Sequence, residues 1–469
     1  MTEKISDELN YSPVISNHST PVYRNVAPQN SATVTLAATS TGQITEFIVP
    51  PSVFNFSKSR LNFDLNVAAT AARFNFINAN LLTTISRVVV YDSATNSQLL
   101  DISSFEKYAS MVVPAATSLT DYLTKSFFGG NFDQVAIAGL PVEDITKVSP
   151  TVGAGGTYAA PTNRVSDSST GVITGATVDL LTRGDINQRR QFYMSSAVNL
   201  ASKLRVSLPL SAFKFTVLAS DKMIYTPSQL VIQIYWNQTD NFGFIGSAPD
   251  NFATDQAALG ATTLTNISLS LCNEGNLQIV SSVIDRVMKE GLSMPIAYPS
   301  LTRVNGGTAT SFSTYIPLTK AYGNRILAII SANFNNLGTN RSFYNAHGRF
   351  DLTQYNQFLN NVAVSNQAGY NTSVRGEDYI LANKEYLKGS TIQSVAEYSF
   401  AEWVDIVSFF GAKPLHEVNQ HEIDGLDVGI QTSTFSQQYN FGTGLALTYV
   451  SAIIGQKMMT ISNQGVMVV

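Results

Sequence analysis

Hydrophobic and polar positions alternate along much of this chain with the two-residue period of a β-strand that has one buried face. The clearest case sets Leu61, Phe63, Leu65 and Val67 against Asn62, Asp64 and Asn66. The same pattern predicts strands at Gln43–Val49, Leu204–Leu210 and Gln229–Trp236, the last with Leu230, Ile232, Ile234 and Trp236 on one face. Ile85–Tyr91 is instead a β-branched run, the signature of a strand buried on both faces. Beyond Leu264–Leu271, strand-like runs recur at Thr314–Leu318, Arg325–Ile330, Leu426–Gln431, Gly444–Ile454 and Met458–Ser462.

Two segments have helical spacing. Ser103 and Glu106 read as a capping box ahead of the stripe Phe105, Tyr108, Ala109 and Val112, with Pro114 as the stop. Leu277–Glu290 carries Val280, Val283, Ile284, Val287 and Met288 on one face. Asp285, Arg286 and Lys289 lie on the other, and Gly291 ends the helix. Long polar connections fall at Ser149–Ala176, Asn237–Gly260, Ala332–His347 and Ser365–Lys388. Residues 1–42 form a polar, weakly patterned arm, with order expected from Gln43 onward.

Both halves thus repeat one plan: short strands, one amphipathic helix and long loops. Strands at turn-punctuated spacing indicate a sandwich or barrel, and an eight-strand jelly roll with long loops occupies roughly 200 residues. The expected fold is all-β, two tandem jelly-roll sandwiches with short helices in the connections. Its units are an arm at 1–42, a first jelly roll at 43–245 and a second at 246–469.

Composition narrows the function. Charged residues are 13% of the 469 and the net charge is −4, about half the ~25% charged fraction of an average soluble domain. A surface rich in Asn, Ser, Thr and Gln suits contacts between copies, because desolvating ions at an interface is costly. Lys4 and Arg24 are the only basic residues of the arm, too few to neutralise nucleic-acid phosphates. The N-terminus lacks the apolar core of a signal peptide and no apolar run is long enough to span a membrane, so a soluble, cytosolically made chain is expected.

The chemistry-bearing residues are sparse. The single cysteine, Cys272, sits in an alternating run as a small core-edge residue and excludes a disulfide framework. His416, His421 and Asp424 are the only cluster of potential metal ligands, and the five-residue histidine spacing diverges on either a strand or a helix. Arg183-Gly184-Asp185 reads as a turn, and Gly153-Ala154-Gly155-Gly156 lacks the lysine of a phosphate loop. No serine elbow is present, and no histidine is tied by spacing to a serine. Neither a catalytic residue nor a cofactor is expected.

Several segments carry a family resemblance. Ile48-Val49-Pro50-Pro51 followed by Ser59-Arg60-Leu61-Asn62-Phe63-Asp64-Leu65-Asn66 resembles the opening of double-jelly-roll major capsid proteins of tailless icosahedral viruses. So do Val206–Ser211 leading into Leu230–Tyr235, and Leu426–Ile430 through Gly444–Val450. That family includes tectiviruses, virophages, polinton-like elements and, more distantly, adenovirus hexons. The resemblance implies a homotrimer of pseudo-hexagonal outline that tiles with neighbouring trimers into the virion shell. It also implies penton or minor capsid proteins and an internal membrane as partners, synthesis in the host cytoplasm, and no sequence-specific nucleic-acid binding. Tyr158, Phe343, Tyr344 and Tyr370, in the long loops, are the expected interface anchors. The competing expectation is a viral spike or a carbohydrate- or receptor-binding sandwich. Against it, no shaft repeat is present, and Trp236 and Trp403 lie in apolar runs where core packing is expected.

Overall fold

A computed structural model of the chain describes residues 19–39, 42–67, 72–76, 81–116, 203–246, 260–335, 352–363 and, with short interruptions, 418–469. It also describes short strands at 151–152, 158–159, 192–194, 257–258, 347–348, 370–371 and 405–409. The principal strands of the first half are β1 (Pro21–Val26), β2 (Val34–Leu36), β3 (Ile44–Val49), β4 (Ser52–Val67), β5 (Ile85–Asp92) and β6 (Gln98–Ser103). After helix α1 (Phe105–Ala115) come β7 (Lys203–Pro209), β8 (Ile224–Thr226), β9 (Leu230–Trp236) and β10 (Thr262–Glu274). One sheet runs β1-β10-β4-β7, with β2 beside β10 and β8 beside β4, and the facing sheet runs β3-β9-β5-β6. Phe63 of the first sheet meets Trp236 of the second edge-on at 5.2 Å, which marks the sandwich interior.

Helix α2 (Leu277–Glu290) leads into the second half. There β11 (Leu292–Gly307), β12 (Ser311–Leu318), β13 (Arg325–Asn335), β14 (Leu352–Leu359), β15 (Val362–Ala363) and β16 (Tyr370–Asn371) follow. The chain closes with β17 (Asp405–Phe409), β18 (Leu426–Asp427), β19 (Ser433–Phe441), β20 (Leu447–Ser462) and β21 (Gly465–Val468). One sheet has the order β11-β20-β13-β17 and the other β12-β19-β14, with β16 beside β14. Taking the eight strands β11, β12, β13, β14, β16, β17, β19 and β20 in chain order, the sheets read first-eighth-third-sixth and second-seventh-fourth-fifth. That is the double Greek key of a jelly roll. The first half repeats the start of the pattern: β9 lies between β3 and β5, and β7 lies beside β4.

The sheet containing β13 and β20 is buried on both faces at these two strands. Ile326, Ile329 and Ile453 belong to the core of the second sandwich. Their alternates Ala328, Ile330, Ala332, Phe334, Val450, Ala452 and Ile454 join the core of the first sandwich. This explains the near-continuous apolar run of β20, whose first ten residues are all buried. Each large side chain in that seam contributes roughly 1.5–3 kcal/mol by leaving water.

Several sequence expectations are corrected. The arm is structured from β1, which pairs along β10 from Pro21↔Glu274 to Val26↔Leu269, because the partner strand lies some 250 residues away and leaves no local signal. β10 lies beyond residue 245 yet pairs with β4, so its pairing places it with the first sandwich. Ser103 ends β6, and Glu106 turns inward instead of closing a capping box. Pro114 lies within α1, one residue before its end, rather than stopping it. Gly444–Ile454 and Met458–Ser462 merge into the single strand β20, and Ala332–Asn335 extends β13 into the expected loop. Helix α2 forms over the predicted residues, capped by Asn276 and ended by Gly291 at φ 70°. Of its predicted apolar face only Val287 is buried.

Candidate functional site

The best-defined polar geometry lies where the two sandwiches join. Asp92 ends β5 and is fully buried. Its carboxylate accepts the backbone N–H groups of Ala94 and Thr95 at 2.8 and 2.9 Å, which closes the turn to β6. It also accepts the Ser228 hydroxyl and, at 3.1 Å, the backbone N–H of Val466 in β21. The Thr95 hydroxyl donates to the Val466 carbonyl at 2.7 Å, and Val468 N–H donates to Ser97 Oγ at 3.0 Å. The first sandwich thereby holds the last strand of the second by its backbone. Nearby, Arg303 of β11 donates to Ser104 Oγ at 3.0 Å.

Helix α1 lies against this seam. Glu106 is buried with Oε2 lacking a hydrogen-bond partner. Burial pushes its carboxyl up to about 7, against the opposing pull of Lys107 and Arg303. The Lys107 ammonium sits 5.4 Å from the centre of the Phe334 ring, and burial pushes it below the usual lysine range.

A serine–histidine pair that sequence spacing missed occurs at the same joint. His421 Nε2 lies 2.9 Å from Ser220 Oγ, and Nδ1 lies 2.9 Å from the carbonyl of Pro295 in β11. Since a carbonyl only accepts, Nδ1 carries a proton, and in the neutral ring Nε2 then accepts from Ser220. Asp221 Oδ1 stands 3.6 Å from Nε2. The arrangement resembles an activated nucleophile, but Ser220 is fully buried and cannot meet a substrate in this conformation. Its evident effect is to tie Ser220 of the first sandwich to Pro295 of the second. Both ring nitrogens of His421 are engaged, whereas His416 and Asp424 lie outside the described residues. Among the described residues no group of three or more His, Cys, Asp or Glu could hold a metal. Cys272 is buried within β10.

A ladder of uncharged side chains crosses one outer face. Across the sheet β7-β4-β10-β1, Ser207 donates to Asn62 Oδ1, Asn62 Nδ2 donates to Ser270, and Ser270 donates to Asn25, at 2.8, 2.8 and 2.7 Å. This ladder shows the Asn- and Ser-rich composition bonding side chain to side chain across four strands, with Arg60 Nη1 joining it at the Ser207 carbonyl at 3.1 Å. Apolar side chains stand exposed on this background, including Val22, Tyr23, Leu277, Tyr315, Ile423 and Ile430, the last 94% exposed. Tyr315 was legible, because alternation with Thr314 and Ile316 turns it outward. Of the expected interface anchors, Tyr158 and Tyr370 lie in short strands, Tyr370 paired with Tyr355 of β14. Phe343 and Tyr344 lie outside the described residues, as do Trp403 and Arg183-Gly184-Asp185. Trp236 is a core residue whose Nε1 donates to Thr45 Oγ1 at 2.8 Å.

No protein-family model matches the chain, and no curated protein matches it. Among solved structures it is similar to the PBCV-1 VP54 crystal structure fitted into a reconstruction of the virophage Sputnik, at 11% identity and TM-score 0.48 over 98% of each chain. It is also similar to the mavirus major capsid protein, at 9% identity and TM-score 0.47 over 100% of this chain and 95% of that one. A third is the Sputnik virophage structure from cryo-EM, at 10% identity and TM-score 0.46 over 100% and 93% of the two chains.

Proposed function

We propose that this chain is a major capsid protein that self-associates as a trimer of pseudo-hexagonal outline and tiles into an icosahedral virion shell. The observation that carries the reading is the strand order of the second sandwich together with its doubly buried sheet. A jelly roll whose sheet is sealed on both faces cannot rock against its partner without exposing core. Two sandwiches joined in this way form one rigid block per chain, so a trimer holds six sandwiches. The Asn and Ser ladder and the exposed Tyr315 and Ile430 suit repeated contacts between copies, because uncharged groups cost less to desolvate than ions. The first sandwich is proposed to take in β1 and β10 by their pairing, beyond the expected unit at 43–245, and the second to begin after β10. Tyr158, Phe343, Tyr344 and Tyr370 are proposed as contacts between subunits. Neighbouring trimers are the main partners, joined in the virion by minor capsid proteins and an internal membrane. Electron microscopy of the purified protein tests the reading. Pseudo-hexagonal particles that tile into sheets or shells support it, and uniformly dispersed single chains at high concentration contradict it.

A further inference from the structure

The interior of the second sandwich is built in transverse layers of opposite character. In one layer Ile329 and Ile453 of the first sheet face the core with Ile316 and Phe435 of the second. One inward step along every strand replaces them. Ser331 and Ser451 are paired on one sheet, while Thr314, Gln437 and Gln357 are aligned across three strands of the other. All five are buried, and none carries a charge. A further step brings Asn333 and Tyr449, aligned on the first sheet, and Phe312 and Tyr439, aligned on the second.

Direct hydrogen bonds join part of this region. Ser331 Oγ and Ser451 Oγ lie 2.8 Å apart, and Ser451 donates to the Tyr449 hydroxyl at 2.9 Å. The Tyr439 hydroxyl donates to that of Tyr449 at 3.0 Å. The contact from Ser331 to Gln437 Oε1, which crosses between the sheets, is stretched to 3.4 Å. Thr314 Oγ1 and Asn333 Oδ1 have no protein partner, although the residues are only 3% and 5% exposed. Leaving such atoms unpaired costs about 1–3 kcal/mol each. The layer also holds less side-chain bulk than its neighbour. Two serines and a threonine stand where isoleucines stand one step away, while packed sheets keep a separation of about 10 Å.

We propose that the Ser331–Ser451–Thr314–Gln437 layer and the adjoining Asn333 bind ordered water as a structural ligand, forming a hydrated band between the sheets of the second sandwich. Uncharged donors and acceptors from both sheets offer a water molecule the two to four partners it needs. The aromatic stack of Phe312, Tyr439 and Phe441 closes the band on one side, and the isoleucine layer closes it on the other.

A crystal structure of the full chain at a resolution that shows water, determined together with that of Thr314→Val, tests the proposal. The expected result is solvent density within hydrogen-bonding distance of Thr314 Oγ1 and of Asn333 Oδ1. The peak at position 314 should disappear in the valine variant, which keeps the shape and replaces the hydroxyl with a methyl group. A wild-type interior without solvent peaks, or one in which Thr314 and Asn333 bond directly to protein groups, overturns it. Neither outcome depends on whether the chain assembles.

Discussion

Asp92 and Val466 stand 374 positions apart in the chain, yet the backbone N–H of Val466 donates to the Asp92 carboxylate at 3.1 Å. One buried side chain therefore closes the β5–β6 turn and fixes the last strand of the other sandwich. Asp92→Ala leaves several buried donors unpaired. We expect it to destabilise the chain by on the order of 3 kcal/mol, read as a lower urea midpoint. An unchanged midpoint would show that the node is dispensable.

Glu106 gives the seam a pH dependence whose sign follows from its raised carboxyl. Below the ordinary value of 4.5 the group is neutral in both folded and unfolded chains and has no effect. Between 4.5 and about 7 the unfolded chain ionises first, so stability falls as pH rises, and above about 7 the loss is complete. Glu106→Gln removes this cost. The variant should match wild type near pH ~4 and exceed it by about 3 kcal/mol near pH ~8. Unfolding curves at the two pH values decide the matter. A constant difference between the proteins would exclude Glu106 as the source.

The Ser220–His421 pair ties the sandwiches together and does not face a substrate. A serine-directed organophosphate should therefore leave the native protein unmodified, as judged by intact mass. His421→Ala should lower stability by about 1–2 kcal/mol, because two part-buried hydrogen bonds are lost. Stoichiometric labelling of Ser220 in the native state would revive a hydrolytic reading.

What the sequence made legible divides by range. Alternation located β4, β9 and β12 because each has one face in a core, and amphipathic spacing with Asn276 and Gly291 at its ends located α2. β1 escaped because five of its six residues are exposed and its order comes from a distant partner, β10. The seam was hidden for the same reason. Asp92 and Thr95 look like a local turn, and nothing near them points to Val466. Ser220 and His421 are 201 positions apart, beyond the reach of any spacing argument.

The exposed apolar residues separate assembly from folding. Tyr315→Asp and Ile430→Asp change solvent-facing positions, so each should alter stability by less than about 0.5 kcal/mol. Both should weaken self-association, seen as a shift toward single chains in sedimentation. Unaltered association in both variants would remove these two side chains from the contacts.

The molar mass of the purified chain in solution is the most direct test of the proposed trimer. The expected species has three times the 50.8 kDa chain mass and persists on dilution. A species of one chain mass at every concentration would contradict it.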